Sequence, residues 1–228
     1  MYIAWTAAYG CIIWKAWKDK SYGVPFLGVC LNIVWEFLFA FDVLDSRLHW
    51  FFRVGNGFWF VFDILIFLQL WRHGREAQVL EPIRNNFHVI MVGLMVAAPV
   101  AFWSFTGYFH DVKGVASSFG LNLLLSALYI FMLINRPDLR GLSYPAAWLK
   151  MIGSVTGAVF VYFWWPAQFK DGHLITHPDI SQPTTNSFMM FLYCGIFILD
   201  CIYIRLFAQR LRQLKSQPAS KNGTAPQA

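Results

Sequence analysis

The sequence predicts an all-α polytopic membrane protein with seven transmembrane helices. Three observations point there. Apolar residues make up 57% of the 228 and charged residues only 13%, whereas soluble domains carry about 25% charged residues. Seven apolar stretches reach or approach the length of about 17–25 residues that a spanning helix needs. The Lys and Arg residues fall alternately on the two sides of those stretches, as membrane topology requires. Mean hydropathy is +0.48.

The stretches are 2–17, 23–41, 51–71, 87–108, 117–134, 146–165 and 188–208. The first is short. It lacks a basic n-region and a small-residue cleavage site, so it is expected to be a retained span rather than a removed signal peptide. The third is interrupted by Arg53, Gly55, Asn56 and Gly57, and its helix is expected to begin near Gly57. The connection 166–187 holds Pro166, Pro178 and Pro183 with His173 and His177, and should be largely non-helical. Residues 1–215 form the expected membrane domain. Residues 216–228 are rich in Pro, Ser, Asn and Gly and read as a disordered cytosolic tail.

Four of the eighteen Lys and Arg residues, Arg47, Arg53, Lys113 and Lys170, fall on one side. The other fourteen follow the first, third, fifth and seventh stretches. Lys150 is counted among these, with the connection after the fifth. The positive-inside rule then puts the N-terminus outside or in a lumen and the C-terminus in the cytosol. The net charge of +6 is thus placed by topology, and no nucleic-acid partner is expected. The membrane would be the endoplasmic reticulum in a eukaryote or the cytoplasmic membrane in a bacterium. The sequence assigns no oligomeric state.

Within this apolar frame sit acids. Glu36 lies in the second stretch, Asp63 in the third and Asp200 in the last. A charge at the bilayer centre costs at least ~2.5–3.5 kcal/mol, so an intramembrane acid marks function by default. A carboxyl buried in an apolar site favours its neutral form, which can donate a proton. At ~1.5 Å per residue, Glu36 and Asp200 lie roughly 18–20 Å in from opposite faces, and Asp63 is at the level of Glu36. These depths predict one internal cavity facing both Glu36 and Asp200, with no intramembrane Lys or Arg to neutralise them. The competing expectation is that the acids pair with polar groups and only fix packing.

Each acid has neighbours on its own helical face. Asn32 precedes Glu36 by four residues, and Trp59 precedes Asp63 by four. Phe197 and Tyr203 flank Asp200 at three residues either side. Most tryptophans sit at helix ends as interfacial anchors. Trp35 and Trp59 lie deeper and are candidate cavity walls, whose ring faces would stabilise a cation. The four cysteines lack ligand spacing and read as small buried hydrophobes. No histidines pair at mid-membrane for haem ligation. The last stretch has no lysine for a Schiff base. There is no phosphate-cradling glycine loop and no zinc motif. No metal and no cofactor are expected.

The run Leu31-Asn32-Ile33-Val34-Trp35-Glu36-Phe37 resembles the Trp-Glu signature of the membrane-integral terpene cyclases of fungal meroterpenoid and indole-diterpene pathways and their bacterial relatives. Leu199-Asp200-Cys201-Ile202-Tyr203 is similar to the acidic motif of that family's final helix. The resemblance implies a metal-independent cyclase acting on a lipophilic prenylated substrate, usually one with a terminal epoxide on an aromatic or indole head group. It also implies that Glu36 and Asp200 are essential. Glu36, Asp200 and, in reserve, Asp63 are the catalytic candidates. Asn32, Trp35, Trp59, Phe197 and Tyr203 are the substrate-binding candidates. The rival class is a proton-coupled transporter or seven-helix receptor using the acids as relay or counter-ion. No inverted repeat or paired broken helices support a transporter.

Overall fold

The computed structural model describes residues 1–46, 48–136, 138–170 (164–170 as backbone only) and 186–216. Arg47, most of the proline-rich connection and the tail 217–228 lie outside the described residues, as do the side chains of Trp164, Trp165 and Lys170. The described residues are helical, without strands: α1 (Tyr2–Lys18), α2 (Phe26–Ala40), α3 (Trp50–His73), α4 (Glu81–Asn85), α5 (Phe87–Phe109), α6 (Val115–Ile134), α7 (Tyr144–Lys170) and α8 (Ser187–Ser216). Five of them, α3 and α5 to α8, are long and apolar enough to cross a membrane. Helix α1, at 17 residues, and α2, at 15, are shorter.

Several boundaries differ from those expected. Helix α2 starts three residues late because Pro25 is its extended N-cap, a geometry that proline fixes. Helix α3 runs unbroken through Arg53, Gly55, Asn56 and Gly57. Gly55 is needed there because a Cβ would fall 2.5 Å from the Tyr2 ring of α1. Helix α7 passes Pro166 and continues to Lys170. Helix α8 extends to Ser216, with Arg205, Arg210, Arg212 and Lys215 on its final turns. The short α4, with Pro82 in its first turn, was not foreseen.

Helix neighbours define the architecture. Helix α1 packs on α3 and α7, α3 on α2, α2 on α6, α6 on α8, and α8 on α7. Six helices therefore close a ring, and α5 lies outside it against α2. Exposed apolar side chains such as Val89, Val96, Val100 and Trp103 cover α5. So much uncovered apolar surface belongs in a bilayer rather than in water. Cys30 is buried as expected, whereas Cys194 and Cys201 of α8 are exposed.

Candidate active site

The ring encloses a cavity at the end where α1, α3 and α6 begin and α2 ends. Helix α1 contributes Tyr2, Trp5 and Tyr9, and α2 contributes Asn32, Trp35 and Glu36. Helix α3 adds Phe52, Asn56 and Trp59, α6 adds Phe119 and Asn122, and α7 adds Gly153, Ser154 and Phe160. The walls mix aromatic and aliphatic side chains with polar groups, among them Asn32, Glu36, Asn56, Lys113, Asn122 and Ser154, and apolar walls with a few placed polar groups are the make-up of a small-molecule site.

Local structure fixes Glu36. Helix α2 ends at a turn in which Asp42 adopts φ 58°. Its carboxylate accepts the Ser46 amide at 2.8 Å and the Ser46 hydroxyl at 2.6 Å. Arg53 of α3 pairs with Asp42 at 3.4 Å, which holds the α2–α3 connection closed. Glu36 is 4% exposed and lines the cavity. Its Oε2 is buried without a hydrogen-bond partner among the described residues.

One turn back, the Asn32 amide donates to Asp63 Oδ2 at 2.6 Å and to the Tyr9 hydroxyl at 2.9 Å. Asp63 is buried and is the electrostatic neighbour of Glu36. Three helices thus meet in one polar cluster, with Glu36 on its cavity side.

The aromatic walls are also held by polar contacts. The Trp35 indole donates to Ser117 Oγ at 3.0 Å and its ring packs on Phe39 with centroids 4.5 Å apart. Trp59 stacks on Tyr2 at 4.7 Å and donates to Thr6 at 3.2 Å. Ser117 is itself set by Asp111, in the loop before α6. The Asp111 carboxylate accepts the Ala116 and Ser117 amides at 2.9 and 2.7 Å, capping the otherwise unpaired first-turn donors. Burial pushes the Asp111 carboxyl up, and these amide bonds pull against that shift.

Asp200 has a different setting. It is 1% exposed and is absent from the lining of the Glu36 cavity. It instead lines an apolar groove between α7 and α8, with Ser154, Tyr193 and Phe197, and this groove shares Phe119 and Ser154 with the Glu36 cavity. Lys150 of α7 meets it, with Nζ 2.7 Å from Oδ1 and 3.0 Å from Oδ2. The same ammonium donates to Ser126 Oγ of α6 at 2.7 Å.

The family model describing Pyr4-like transmembrane terpene cyclases matches residues 1–213. The chain belongs to the Pyr4-like transmembrane terpene cyclases. A Pyr4-family terpene cyclase, mfmH of Annulohypoxylon moriforme, is 28% identical over 211 residues, covering 90% of this chain and 81% of the relative. Asnovolin H synthase nvfL of Aspergillus novofumigatus is 28% identical over 226 residues, covering 96% and 87%. Terpene cyclase pyr4 of Aspergillus fumigatus is 25% identical over 231 residues, covering 96% and 87%. No solved structure matches. Membership implies an enzyme with a lipophilic substrate in a membrane setting.

Against this family background, the expected residues separate. Asn32, Trp35, Glu36 and Trp59 share one cavity. Asp63 lies behind Asn32. Phe197 is half-exposed on the α7–α8 groove. Tyr203 is buried against Tyr129 and Phe207 and lines neither space. Glu36 lines the cavity and Asp200 the α7–α8 groove, and the two spaces share Phe119 and Ser154. One expectation is corrected. Asp200 has an intramembrane basic partner: Lys150, counted with a cytosolic connection, sits in the second turn of a helix that begins at Tyr144, where its stem packs inward. Cavity residues that the sequence did not single out include Tyr2, Trp5, Tyr9, Asn56, Asn122 and Ser154. Trp5 lies near a helix end, where a tryptophan reads as an anchor. The mid-span Asn122 was a legible signal, since polar residues deep in a span rarely face lipid.

Proposed function

We propose that this terpene cyclase protonates the terminal epoxide or alkene of a prenylated aromatic or indole substrate in the Glu36 cavity and guides the ensuing carbocation through ring closure. The observation that carries this reading is Glu36: a buried carboxyl at the wall of a cavity with several aromatic faces, one oxygen having no hydrogen-bond partner among the described residues. Asp63 lies close by, and two neighbouring carboxyls do not both ionise readily, so the pair retains a proton to give.

In the step itself, the Glu36 O–H bond breaks and its proton goes to the epoxide oxygen. The C–O bond at the more substituted carbon opens, and the alkene electron pairs of the chain close the rings in turn. Loss of a C–H proton to a carboxylate of the cavity ends the cascade and restores the acid. The aromatic faces of Trp35, Trp59, Tyr2 and Trp5 stabilise the moving positive charge, and the apolar walls keep out water that would quench it. The cavity, at about 180 Å³, exceeds the ~150 Å³ engineered apolar cavity that takes up benzene, so it accommodates a folding isoprenoid end. The proton comes from the chain's own carboxyl, and the reaction as proposed draws on no metal.

The same reading includes seven spans, with the N-terminus outside or lumenal and the cavity mouth on that side. The basic-residue bias supports it, as does the grouping of Met1, Leu48 and Lys113 around one cavity. The experiment is expression in a host fed epoxyprenyl phenols and epoxyprenyl indoles, followed by product identification. Cyclised isomers of unchanged mass are expected. Recovery of every substrate unchanged, from membranes that hold the folded protein, would refute the proposal.

A further inference from the structure

The α6–α7–α8 cluster contains a lysine that no motif of the chain announces. Lys150 is buried, as is Asp200, with side chains 5% and 2% exposed. An ammonium has three N–H donors and no acceptor. Here the three meet Asp200 Oδ1, Asp200 Oδ2 and Ser126 Oγ at 2.7, 3.0 and 2.7 Å. A full set of acceptors, two of them on one carboxyl group, describes an ammonium facing a carboxylate.

The pair is also wired to the cavity wall. The Lys150 carbonyl accepts the Ser154 hydroxyl at 2.9 Å, and Ser154 Oγ accepts the Asn122 amide at 2.9 Å. Both Ser154 and Asn122 line the Glu36 cavity. Lys150 Nζ lies 5.8 Å from the centre of the Trp5 ring, another wall residue. Three residues on in the chain from Lys150, Gly153 lets that indole approach, since a Cβ there would fall 2.6 Å from Trp5 Cδ1.

We propose that Lys150 and Asp200 act as one positioning unit: Lys150 holds Asp200 as a carboxylate, the pair ties α8 to α6 and α7 and sets the Asn122–Ser154–Trp5 wall, and Asp200 gives no proton to the substrate. The two signature acids then have separate roles, with Glu36 reacting and Asp200 holding the wall in place. The catalytic half of this inference rests on the cyclase reading; the ionisation half does not.

Two measurements on the purified full-length protein test it. The first is infrared difference spectroscopy of wild type against Asp200→Asn. The variant is expected to lose carboxylate absorption and gain that of the asparagine amide, with no protonated-carboxyl band lost. Loss of a protonated-carboxyl carbonyl band would overturn the proposal whatever the enzyme's substrate proves to be. The second is rescue. Asp200→Asn alone strands a buried ammonium and is expected to lower turnover by about 10²-fold, because breaking one side of a buried pair is far worse than removing both. Adding Lys150→Met removes the stranded charge and should recover at least about tenfold of that loss, with altered product proportions from the disturbed Trp5 wall. A double variant that is monodisperse yet no better than Asp200→Asn would show that the carboxyl itself is needed, and would overturn the positioning role.

Discussion

The α1–α2–α3 corner buries two acids and the α6–α7–α8 corner one, and the two corners treat them in opposite ways. At the first, Asp63 accepts the Asn32 amide, which also donates to the Tyr9 hydroxyl, and Glu36 Oε2 is buried without a hydrogen-bond partner, so no cation bonds either acid among the described residues. At the second, Asp200 meets an ammonium. An acid buried among neutral donors is kept as a group that exchanges a proton. An acid buried against a lysine is kept as a fixed charge. The comparison shows why burial alone does not make an acid catalytic: what it is buried with decides its protonation.

The largest expected break in this contrast is Glu36→Gln. The amide is nearly isosteric and cannot supply the proton. Turnover should fall by about 10²–10⁴-fold or more, while the protein remains folded in the membrane, as checked by gel filtration in detergent. Asp63→Asn sharpens the same corner. It keeps hydrogen-bonding capacity beside Asn32 and Tyr9 but removes the neighbour that keeps a proton in the pair. A loss of about 10–10²-fold is expected in single-turnover assays, smaller than that of Glu36→Gln.

These two positions also mark what was legible in the sequence. Glu36, Asn32, Trp35 and Asp63 were readable because a polar residue in an apolar run is costly and helical spacing puts neighbours on one face. The all-helical class was readable from the same runs. The division between the two acids was not, because it depends on a contact between Lys150 and Asp200 across fifty residues and between helices whose adjacency no periodicity reports. Lys150 lay inside an apolar stretch and stood nonetheless for a loop charge, since a lysine near a helix end usually reaches for the interface. Trp5 was hidden in the same way: a tryptophan near a helix end has the composition of an anchor whichever way it faces. Helix boundaries near Pro25 and Gly55 were settled by packing and turn geometry rather than by hydropathy.

Smaller effects are expected in the walls that serve Glu36. Trp35→Phe keeps a ring face but removes the donor to Ser117. It should change product proportions, with a stability loss of about 0.5–1.5 kcal/mol, read as a shift in the thermal unfolding of detergent-solubilised protein. Asp111→Ala acts one step further away by uncapping α6. A loss of about 0.5–2 kcal/mol is expected, with a product change in the same direction as that of Trp35→Phe because both release the indole.

The central claim is that the Glu36 carboxyl delivers the proton. Purified enzyme and its Glu36→Gln variant, in detergent without any gradient, should be given one epoxyprenyl aromatic substrate that the wild type converts, and initial rates compared at equal folded protein. The account predicts cyclisation by the wild type and at least a hundredfold slower cyclisation by the variant, of the order general acid catalysis commands. Equal rates would contradict it.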